Sequence, residues 1–295
     1  MTNTAHSNLP IARPYLKWAG GKSRLLDQFA PLYPRVFANY HEPFVGSAAV
    51  YFHLCGLKAS GHLSGLMRRA RLTDSNPELI NCYRVVRDEV DALIEWLADH
   101  RRKHSREHYY RVRSQLPEDL SPVESAARFI YLNKTCYNGL YRVNRQGQFN
   151  VPMGSYEHPR IFDADDLRQA ARALQGVEIA VADFRDVIQH AKRRDLVYFD
   201  PPYHPLTKTA SFTSYTQNPF GPDQQRELAQ VFRALDRKGC QVMLSNSWTP
   251  FILDLYQGFH CIEVQAARAI NSKASRRGKI REVVVLNYDP SCGNP

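Results

Sequence analysis

An acid, two prolines and an aromatic residue follow one another directly after a short apolar run. The run occupies residues 195–199, and Asp200, Pro201, Pro202 and Tyr203 come next. Proline cannot continue a central strand, and the carboxyl ends of strands are where open α/β sheets bind ligands. Because the two prolines stiffen the turn, the Asp200 carboxylate and the Pro201 carbonyl become two fixed acceptors. This pattern predicts a site for an exocyclic amine, with Tyr203 as a flat surface for an aromatic base.

The elements that position this turn alternate between strands and helices in the second half of the chain. Apolar runs at residues 240–245, 260–265 and 282–288 predict three further strands. Residues 222–235 predict a helix that begins with a proline. This alternation is typical of an α/β sheet with right-handed crossovers.

The middle of the chain predicts helices instead of strands. Residues 76–78 read Asn-Pro-Glu, a helix start, and the helical pattern continues to residue 100. Ser121 and Glu124 fit a capping box that opens another helix. We therefore predict an α/β domain in two parts, residues 1–76 and 161–295, with a mainly helical domain at residues 77–160 inserted between them.

The composition favours a polyanionic partner over a membrane or a metal. The 295 residues include 39 Lys and Arg against 29 Asp and Glu, a formal net charge of +10, which attracts nucleic acid first. No apolar stretch approaches the roughly 20 residues that cross a bilayer. The N-terminus lacks the layout of a signal peptide, so we expect a cytoplasmic protein. The six cysteines are scattered without a C-x-x-C pair, which indicates reduced thiols and argues against a zinc site or disulfides.

One acid-free segment, residues 133–156, interleaves cations with aromatic rings and side-chain amides. This is the composition of a nucleic-acid-binding surface. Its candidate contacts are Asn133, Lys134, Tyr137, Asn138, Tyr141, Arg142, Asn144, Arg145 and Gln146. Tyr131, just before this segment, is expected in the core.

Two other segments are rich in positive charge. Residues 271–281 contain no acid and predict a hairpin in which Arg276 and Arg277 touch phosphates, with a solvated loop as the alternative. Residues 101–103 are three cations in a row, and His104 and His108 follow them. Because no further ligand spacing supports a metal, we expect an exposed helix surface there.

Together with the turn at residues 200–203, four motifs resemble those of the Dam family of DNA adenine-N6 methyltransferases, which use S-adenosylmethionine (SAM). They lie at residues 17–22, 42–47, 133–139 and 149–152 and read KWAGGK, EPFVGS, NKTCYNG and FNVP. The resemblance extends from Pro14 to Tyr288. It implies a Rossmann-like α/β fold, with a mixed sheet, helices on both faces and an inserted, mainly helical target-recognition domain.

The resemblance also implies roles for individual residues. SAM is implied to bind Trp18, Lys22, Glu42, Asp74, Asp183, Phe184 and Asp200. The target adenine is implied to be received and oriented by Asp200, Pro201 and Tyr203. The segment at residues 133–156, with Lys17, Arg276 and Arg277, is implied to contact DNA.

The implied reaction is methyl transfer from SAM to N6 of an adenine flipped out of double-stranded DNA. Cytosine-N4 transfer would use the same geometry, although serine in place of Asp200 would favour it. A catalytically silent DNA-binding protein is a further alternative, which the intact Trp18, Lys22 and Asp200 oppose. No metal is expected, because the sulfonium of SAM is already activated. We expect a monomer in solution, with a dimer on DNA as the alternative.

Gln146 bears on the target sequence. The resemblance implies that the loop at residues 141–148 reads DNA, and many relatives methylate the adenine of GATC. An arginine often stands at the position of Gln146 in the GATC enzymes. Arginine pairs bidentately with guanine, whereas glutamine prefers adenine or binds with less selectivity. The sequence therefore predicts an adenine target without favouring GATC strongly.

Overall fold

The computed structural model describes residues 12–61, 67–206, 220–266 and 280–291, and a seven-stranded mixed sheet is its centre. The strands are β1 (Tyr40–Glu42), β2 (Ala70–Asp74), β3 (Glu178–Val181), β4 (Leu196–Phe199), β5 (Gln241–Ser247), β6 (His260–Ala266) and β7 (Ile280–Leu286). Their order across the sheet is β3-β2-β1-β4-β5-β7-β6. Strands β1 to β5 are parallel, and β7 is antiparallel to both of its neighbours. The α/β class and the four strands predicted in the second half of the chain are confirmed.

The helices of the described residues are α1 (Leu26–Phe29), α2 (Ala49–Ala59), α3 (Pro77–Asp88), α4 (Val90–Arg102), α5 (Arg106–Ser114), α6 (Pro122–Thr135), α7 (Ala164–Leu174), α8 (Val187–His190), α9 (Pro222–Arg237) and α10 (Pro250–Leu255). They lie on both faces of the sheet, and β4 separates the two layers. Leu196 and Tyr198 belong to a core that includes side chains of α1, α2, α3 and α7. Val197 and Phe199 belong to a second core with α8, α9 and α10. Because both faces of β4 are covered, the strand is apolar along its whole length.

Helices α3 to α6 form the helical middle of the chain. The predicted capping box opens α6: Ser121 Oγ accepts the Glu124 amide at 3.3 Å, and the Glu124 carboxylate accepts the Ser121 amide at 3.0 Å. The helix predicted to run on to residue 100 is instead two helices, because the backbone of Glu89 is non-helical (φ −137°, ψ 36°). Neither glycine nor proline stands at this break to signal it.

Helix α3 joins the helical middle to the sheet. Its Leu79 and Tyr83 lie in the same core as Leu72 of β2. At its first turn, Glu78 accepts hydrogen bonds from Arg128 of α6 at 2.9 Å and from Tyr141 at 2.8 Å. The hydrophobic core therefore continues across residue 76, where the boundary between the α/β domain and the helical domain was expected. The limits of the two domains stay a prediction.

Three histidines surround Tyr131 inside the helical middle, where an exposed surface was expected for His104 and His108. His108 is 5% exposed, His100 is 7% exposed and Tyr131 is fully buried, as expected of a core tyrosine. Arg111 donates to His108 Nδ1 at 2.8 Å, which leaves the His108 Nε2–H to donate to His100 Nδ1 at 3.0 Å. The prediction was wrong for His108 because the turn between α4 and α5 folds it onto α6.

We expect this part of the fold to lose stability in mild acid. Burial, and secondly the neighbouring His108, lower the pKa of His100 from 6.5 to about 4. The unfolded chain therefore binds this proton first, so stability falls as the pH drops from about 6.5 towards about 4, by up to about 3 kcal/mol. Urea unfolding across this pH range measures the decline. It should be smaller in His100→Gln, which has no imidazole to protonate, and equal declines in the two proteins would contradict this account.

The structure also bears on membrane spans, metal sites and the state of the cysteines. Among the residues described, no helix combines the length and the apolarity needed to cross a membrane. In the same residues, no group of three or more His, Cys, Asp and Glu side chains is arranged to hold a metal ion. The five described cysteines are free thiols, of which Cys82, Cys136 and Cys240 are buried.

Candidate active site and nucleic-acid interface

Three carboxyl groups meet where the strand order of the sheet reverses. From β1, the sheet continues through β2 and β3 on one side and through β4 and β5 on the other. The crevice outside the carboxyl ends of such strands is where open α/β sheets bind ligands. Glu42 ends β1, Asp74 ends β2 and Asp200 directly follows β4. Residues far apart in the sequence therefore come to one edge of the sheet.

Lys22 pairs with the carboxylate of Asp200. Its ammonium nitrogen lies 2.6 and 2.8 Å from the two carboxylate oxygens and donates to the Gly20 carbonyl at 2.5 Å. The same nitrogen lies 4.6 Å from the centre of the Tyr203 ring, a cation–π contact. Burial raises the pKa of Asp200, and the charge of Lys22 opposes this shift. Lys22 was expected beside the cofactor, and the structure places it on the candidate catalytic carboxylate.

Glu42 faces the site from the interior of the sheet. Its side chain is 3% exposed and accepts a hydrogen bond from the Tyr40 hydroxyl at 2.9 Å. Burial raises the pKa of Glu42 well above its ordinary value, while the bond from Tyr40 opposes the rise. This acid therefore holds a proton more readily than a surface glutamate does.

The turn after β4 is anchored by buried amides that the sequence analysis missed. Gln225 of α9 donates to the Pro202 carbonyl at 2.9 Å, and Asn246 of β5 donates to Gln225 Oε1 at 3.0 Å. Asn246 also accepts the His204 amide at 3.0 Å. Both side chains are fully buried. For Asn246, the signal in the sequence is the polar run Ser-Asn-Ser at the end of the otherwise apolar β5, because buried polar groups need hydrogen-bond partners.

Asp74, Gly46 and Trp18 form a second cluster at this edge. Asp74 accepts the Gly46 amide at 3.4 Å and the Asn76 amide at 3.0 Å. A side-chain carbon at Gly46, whose φ is +45°, would come within 2.8 Å of the Trp18 indole, so only glycine permits this approach. Burial raises the pKa of Asp74 to about 6. A carboxylate with unused acceptor capacity beside a flat indole fits the ribose and the cationic or aromatic part of a nucleoside cofactor.

Asp183 and Phe184 follow β3, beside β2 in the sheet. The Asp183 carboxylate binds Arg185 at 2.6 Å, a partly exposed pair that a ligand can displace at little cost. Phe184 is 7% exposed and stacks on Phe44 with 5.5 Å between the ring centres. The pair therefore lies along the same edge, with Phe184 committed largely to the core.

The sequence comparisons agree with this geometry. Residues 18–270 match the family model of D12 class N6 adenine-specific DNA methyltransferases. The chain belongs to this family. The cytosine-N4 alternative is therefore not retained, and the family implies SAM as the methyl donor.

Relatives of the methyltransferase match over nearly their whole length. The type II methyltransferase M.MjaIII of Methanocaldococcus jannaschii is 42% identical over 293 residues, covering 94% of this chain and 99% of that protein. The type II methyltransferase M1.LlaDCHI of Lactococcus lactis is 40% identical over 292 residues, covering 97% and 99%. A DNA adenine methylase of Haemophilus influenzae is 35% identical over 280 residues, covering 93% of each chain.

Asn133 of the methyltransferase holds the motif at residues 17–22 in place. It is 3% exposed, accepts the Lys17 amide at 2.8 Å and donates to the Lys17 carbonyl at 2.6 Å. A side-chain carbon at Gly139 would lie 2.6 Å from Lys17 Cβ, so the two segments pack in direct contact. This burial leaves Asn133 without a surface for DNA, and a positioning role replaces the contact that was expected.

Lys17 brings cations and rings together on one surface. Its ammonium group donates to the Lys134 carbonyl at 3.3 Å and lies 4.1 Å from the centre of the Tyr156 ring. Burial, and secondly the charge of Lys17, lower the pKa of Lys134 to about 8. Tyr137 is 53% exposed, and the exposed Asn138 has a φ of +56°. Contact of Lys17, Lys134, Tyr137 and Asn138 with DNA stays a prediction.

The loop expected to read DNA is a short hairpin with a fixed turn. Val143 and Phe149 form an isolated bridge, and Asn144 Oδ1 accepts the Gln146 and Gln148 amides at 3.0 and 2.9 Å. Asn144 therefore shapes the turn, and the neighbouring Gln146 is exposed at its tip.

Tyr141 and Arg142 lie at the base of this hairpin. The Tyr141 ring is 6.0 Å from that of Trp18, which connects the hairpin to the cluster around Asp74. Arg142 donates to Asn150 Oδ1 at 2.6 Å, across the hairpin. Arg145 is exposed at the tip, and the remaining expected contacts, Arg276 and Arg277, lie outside the described residues.

Proposed function

We propose that this methyltransferase transfers the methyl group of SAM to N6 of an adenine flipped out of double-stranded DNA. The observation that carries the proposal is the ammonium nitrogen of Lys22, held by Asp200 above the Tyr203 ring. An adenine amine needs the same two features, an acceptor for its hydrogens and a flat face for its ring. When the base enters, its amine donates to the Asp200 carboxylate and replaces one of the hydrogen bonds that Lys22 makes there.

Asp200 and the Pro201 carbonyl accept the two hydrogens of the amine. Held this way, the nitrogen lone pair turns out of conjugation with the ring and towards the methyl donor. The charge of Asp200 stabilises the positive charge that develops on the nitrogen. Stacking on Tyr203 contributes about 1–3 kcal/mol, which offsets part of the few kcal/mol that flipping costs.

The cluster of Asp74, Gly46 and Trp18 is assigned to SAM. When bound, SAM supplies a methyl group activated by its sulfonium. Asp74 accepts the ribose hydroxyls, and Trp18 faces the sulfonium or the adenine. Lys22, Glu42 and Asp200 border the same pocket, and Asp183 and Phe184 bracket the cofactor adenine.

The duplex is assigned to the surface of Lys17, Lys134, Tyr137 and Asn138 and to the hairpin at residues 141–148. The net charge of +10 supports this assignment, because it attracts a polyanion over long range. We propose that the protein is a monomer in solution.

Replacement of Asp200 by alanine should abolish methyl transfer while leaving folding and DNA binding largely intact, because its bonds to the amine act in the reaction. Alanine also leaves the buried Lys22 ammonium without its carboxylate. Asp200→Asn, which keeps the shape and one acceptor, is therefore the second variant and should lose roughly 100-fold or more. Single-turnover methylation measures the loss. Rates within a few-fold of wild type in both variants would refute the role of Asp200.

Asp74→Ala and Trp18→Ala should each weaken SAM binding by about tenfold, or about 1.4 kcal/mol, because both side chains are assigned to the cofactor and neither to the base. Titration calorimetry with SAM measures the effect. Gln146→Ala, on the exposed hairpin, is the control and should bind SAM as wild type does. Unchanged affinity in both Asp74→Ala and Trp18→Ala would mean that this cluster is not the SAM site.

Gln146→Arg should change the base preference next to the target adenine without changing SAM affinity. The fixed turn presents this side chain to solvent, and arginine would favour guanine by about 1–3 kcal/mol. Sequencing of methylated bases in DNA treated with each protein gives both preferences. The same target site and the same near-cognate profile would show that this hairpin does not read the sequence.

A further inference from the structure

Tyr203 is held at its hydroxyl as well as at its ring. The ring lies 4.6 Å from the Lys22 ammonium, and the hydroxyl donates to Glu282 Oε2 at 2.9 Å. Glu282 is 79 positions further along the chain and lies outside the motifs that carry the family resemblance. Tyr203 is therefore hydrogen-bonded to a residue for which the sequence predicted no functional role.

The sheet fixes the position of Glu282. It belongs to β7, which lies between β5 and β6, and it is paired with Ser247 on one side and Val264 on the other. The next four residues of the strand, 283–286, are fully buried. The backbone that carries the acceptor for the Tyr203 hydroxyl is therefore fixed by strand pairing on both sides.

Among the described residues, the hydroxyl of Tyr203 is the side-chain group that bonds to the Glu282 carboxyl group. Within the described part of the chain, no lysine, arginine or histidine forms an ion pair with it, and the adjacent Arg281 pairs with Glu263 at 2.6 Å. Burial raises the pKa of Glu282, while Lys22 and the hydroxyl of Tyr203 oppose the rise. The phenol can donate to either protonation state of the carboxyl group, because both keep a free acceptor oxygen.

We propose that Glu282 is a positioning residue for methyl transfer, fixing through the Tyr203 hydroxyl the plane of the ring on which the target base stacks. The inference rests on the proposed function, in which Tyr203 receives that base. The prolines hold the backbone of the turn but leave the torsions of the Tyr203 side chain free. Without the bond to Glu282 the ring samples other planes, and fewer bound bases lie in line with the methyl donor.

Two other roles for Glu282 make different predictions. A general base would need a group that can take up a proton, which glutamine cannot replace. A residue that only stabilises β7 would affect thermal unfolding but not the rate of the folded enzyme. Glutamine keeps an acceptor for the phenol, so Glu282→Gln separates positioning from proton transfer.

The experiment compares Glu282→Ala, Glu282→Gln, Tyr203→Phe and the double variant Glu282→Ala/Tyr203→Phe in single-turnover methylation at saturating SAM and DNA. Glu282→Ala and Tyr203→Phe remove the same hydrogen bond from opposite ends and should each slow the step about 3- to 20-fold, with unchanged SAM affinity. The double variant should be no slower than the slower single variant. Glu282→Gln should stay within about twofold of wild type.

A fluorescent 2-aminopurine at the target position reports the stacking directly. Its emission is quenched when the flipped base lies flat on an aromatic ring, so Glu282→Ala should give brighter complexes than wild type and Glu282→Gln should not. Glu282→Gln as slow as alanine, additive losses in the double variant, or a lower Tm for Glu282→Ala with an unchanged rate would each overturn the inference.

Asp200→Ala and Asp200→Asn in the same assay distinguish a failure of the role of Glu282 from a failure of the proposed function. Wild-type rates in both Asp200→Ala and Asp200→Asn would mean that the reaction site itself is misassigned. An inactive Asp200→Asn beside a fully active Glu282→Ala would overturn the role of Glu282 alone.

Discussion

Placing a carboxylate at the buried end of a parallel strand is unfavourable unless a cation accompanies it, and here that cation is Lys22. The two residues are 178 positions apart in the sequence. Their pairing draws the motif at residues 17–22 to the end of β4. The same motif places Trp18 against Gly46 and binds the Lys17 backbone to Asn133. One short stretch therefore connects the candidate reacting carboxylate, the candidate cofactor cluster and the helical part of the fold.

The site gathers acidic side chains in a protein whose net charge is positive. The chain carries a net charge of +10, yet three carboxyl groups meet at the strand ends, with Lys22 paired to one of them. Burial raises the pKa of Glu42, Asp74 and Asp200 alike. A positive net charge suits a polyanionic duplex, while carboxyl groups suit a cationic methyl donor and the positive charge that forms on the amine. The proposed function accordingly assigns the two partners to different surfaces of one molecule.

Rigidity is supplied by polar side chains in the core. The amides of Gln225 and Asn246 have no access to water, so each must bond within the protein, and the bonds that they make fix the turn after β4. Tyr141 performs a similar task at the base of the hairpin, where its hydroxyl donates to Glu78 and its ring lies near Trp18. The hairpin at residues 141–148 is therefore joined to the cluster of Asp74, Gly46 and Trp18.

Four features could be predicted from the residues alone: the class of the fold, the strands from residue 195 onward, the capping box of α6 and the turn that carries Asp200. These features depend on neighbours in the chain, on apolar runs, prolines and caps, and such local signals survive without knowledge of the fold. The strands β1 (Tyr-His-Glu) and β3 (Glu-Ile-Ala-Val) are short and include charged residues, so they lack the uninterrupted apolar run that marks β4. The break at Glu89 has no residue type to announce it.

Which side chains contact one another could not be predicted without the folded chain. The tertiary structure placed Lys22 on Asp200, buried Asn133 and His108, and revealed Gln225, Asn246 and Glu282 as supports of the site. Each of these contacts joins residues brought together by strand order or by helix packing. The chemistry of a side chain can be read from its type, but its partner is set by the path of the backbone in space.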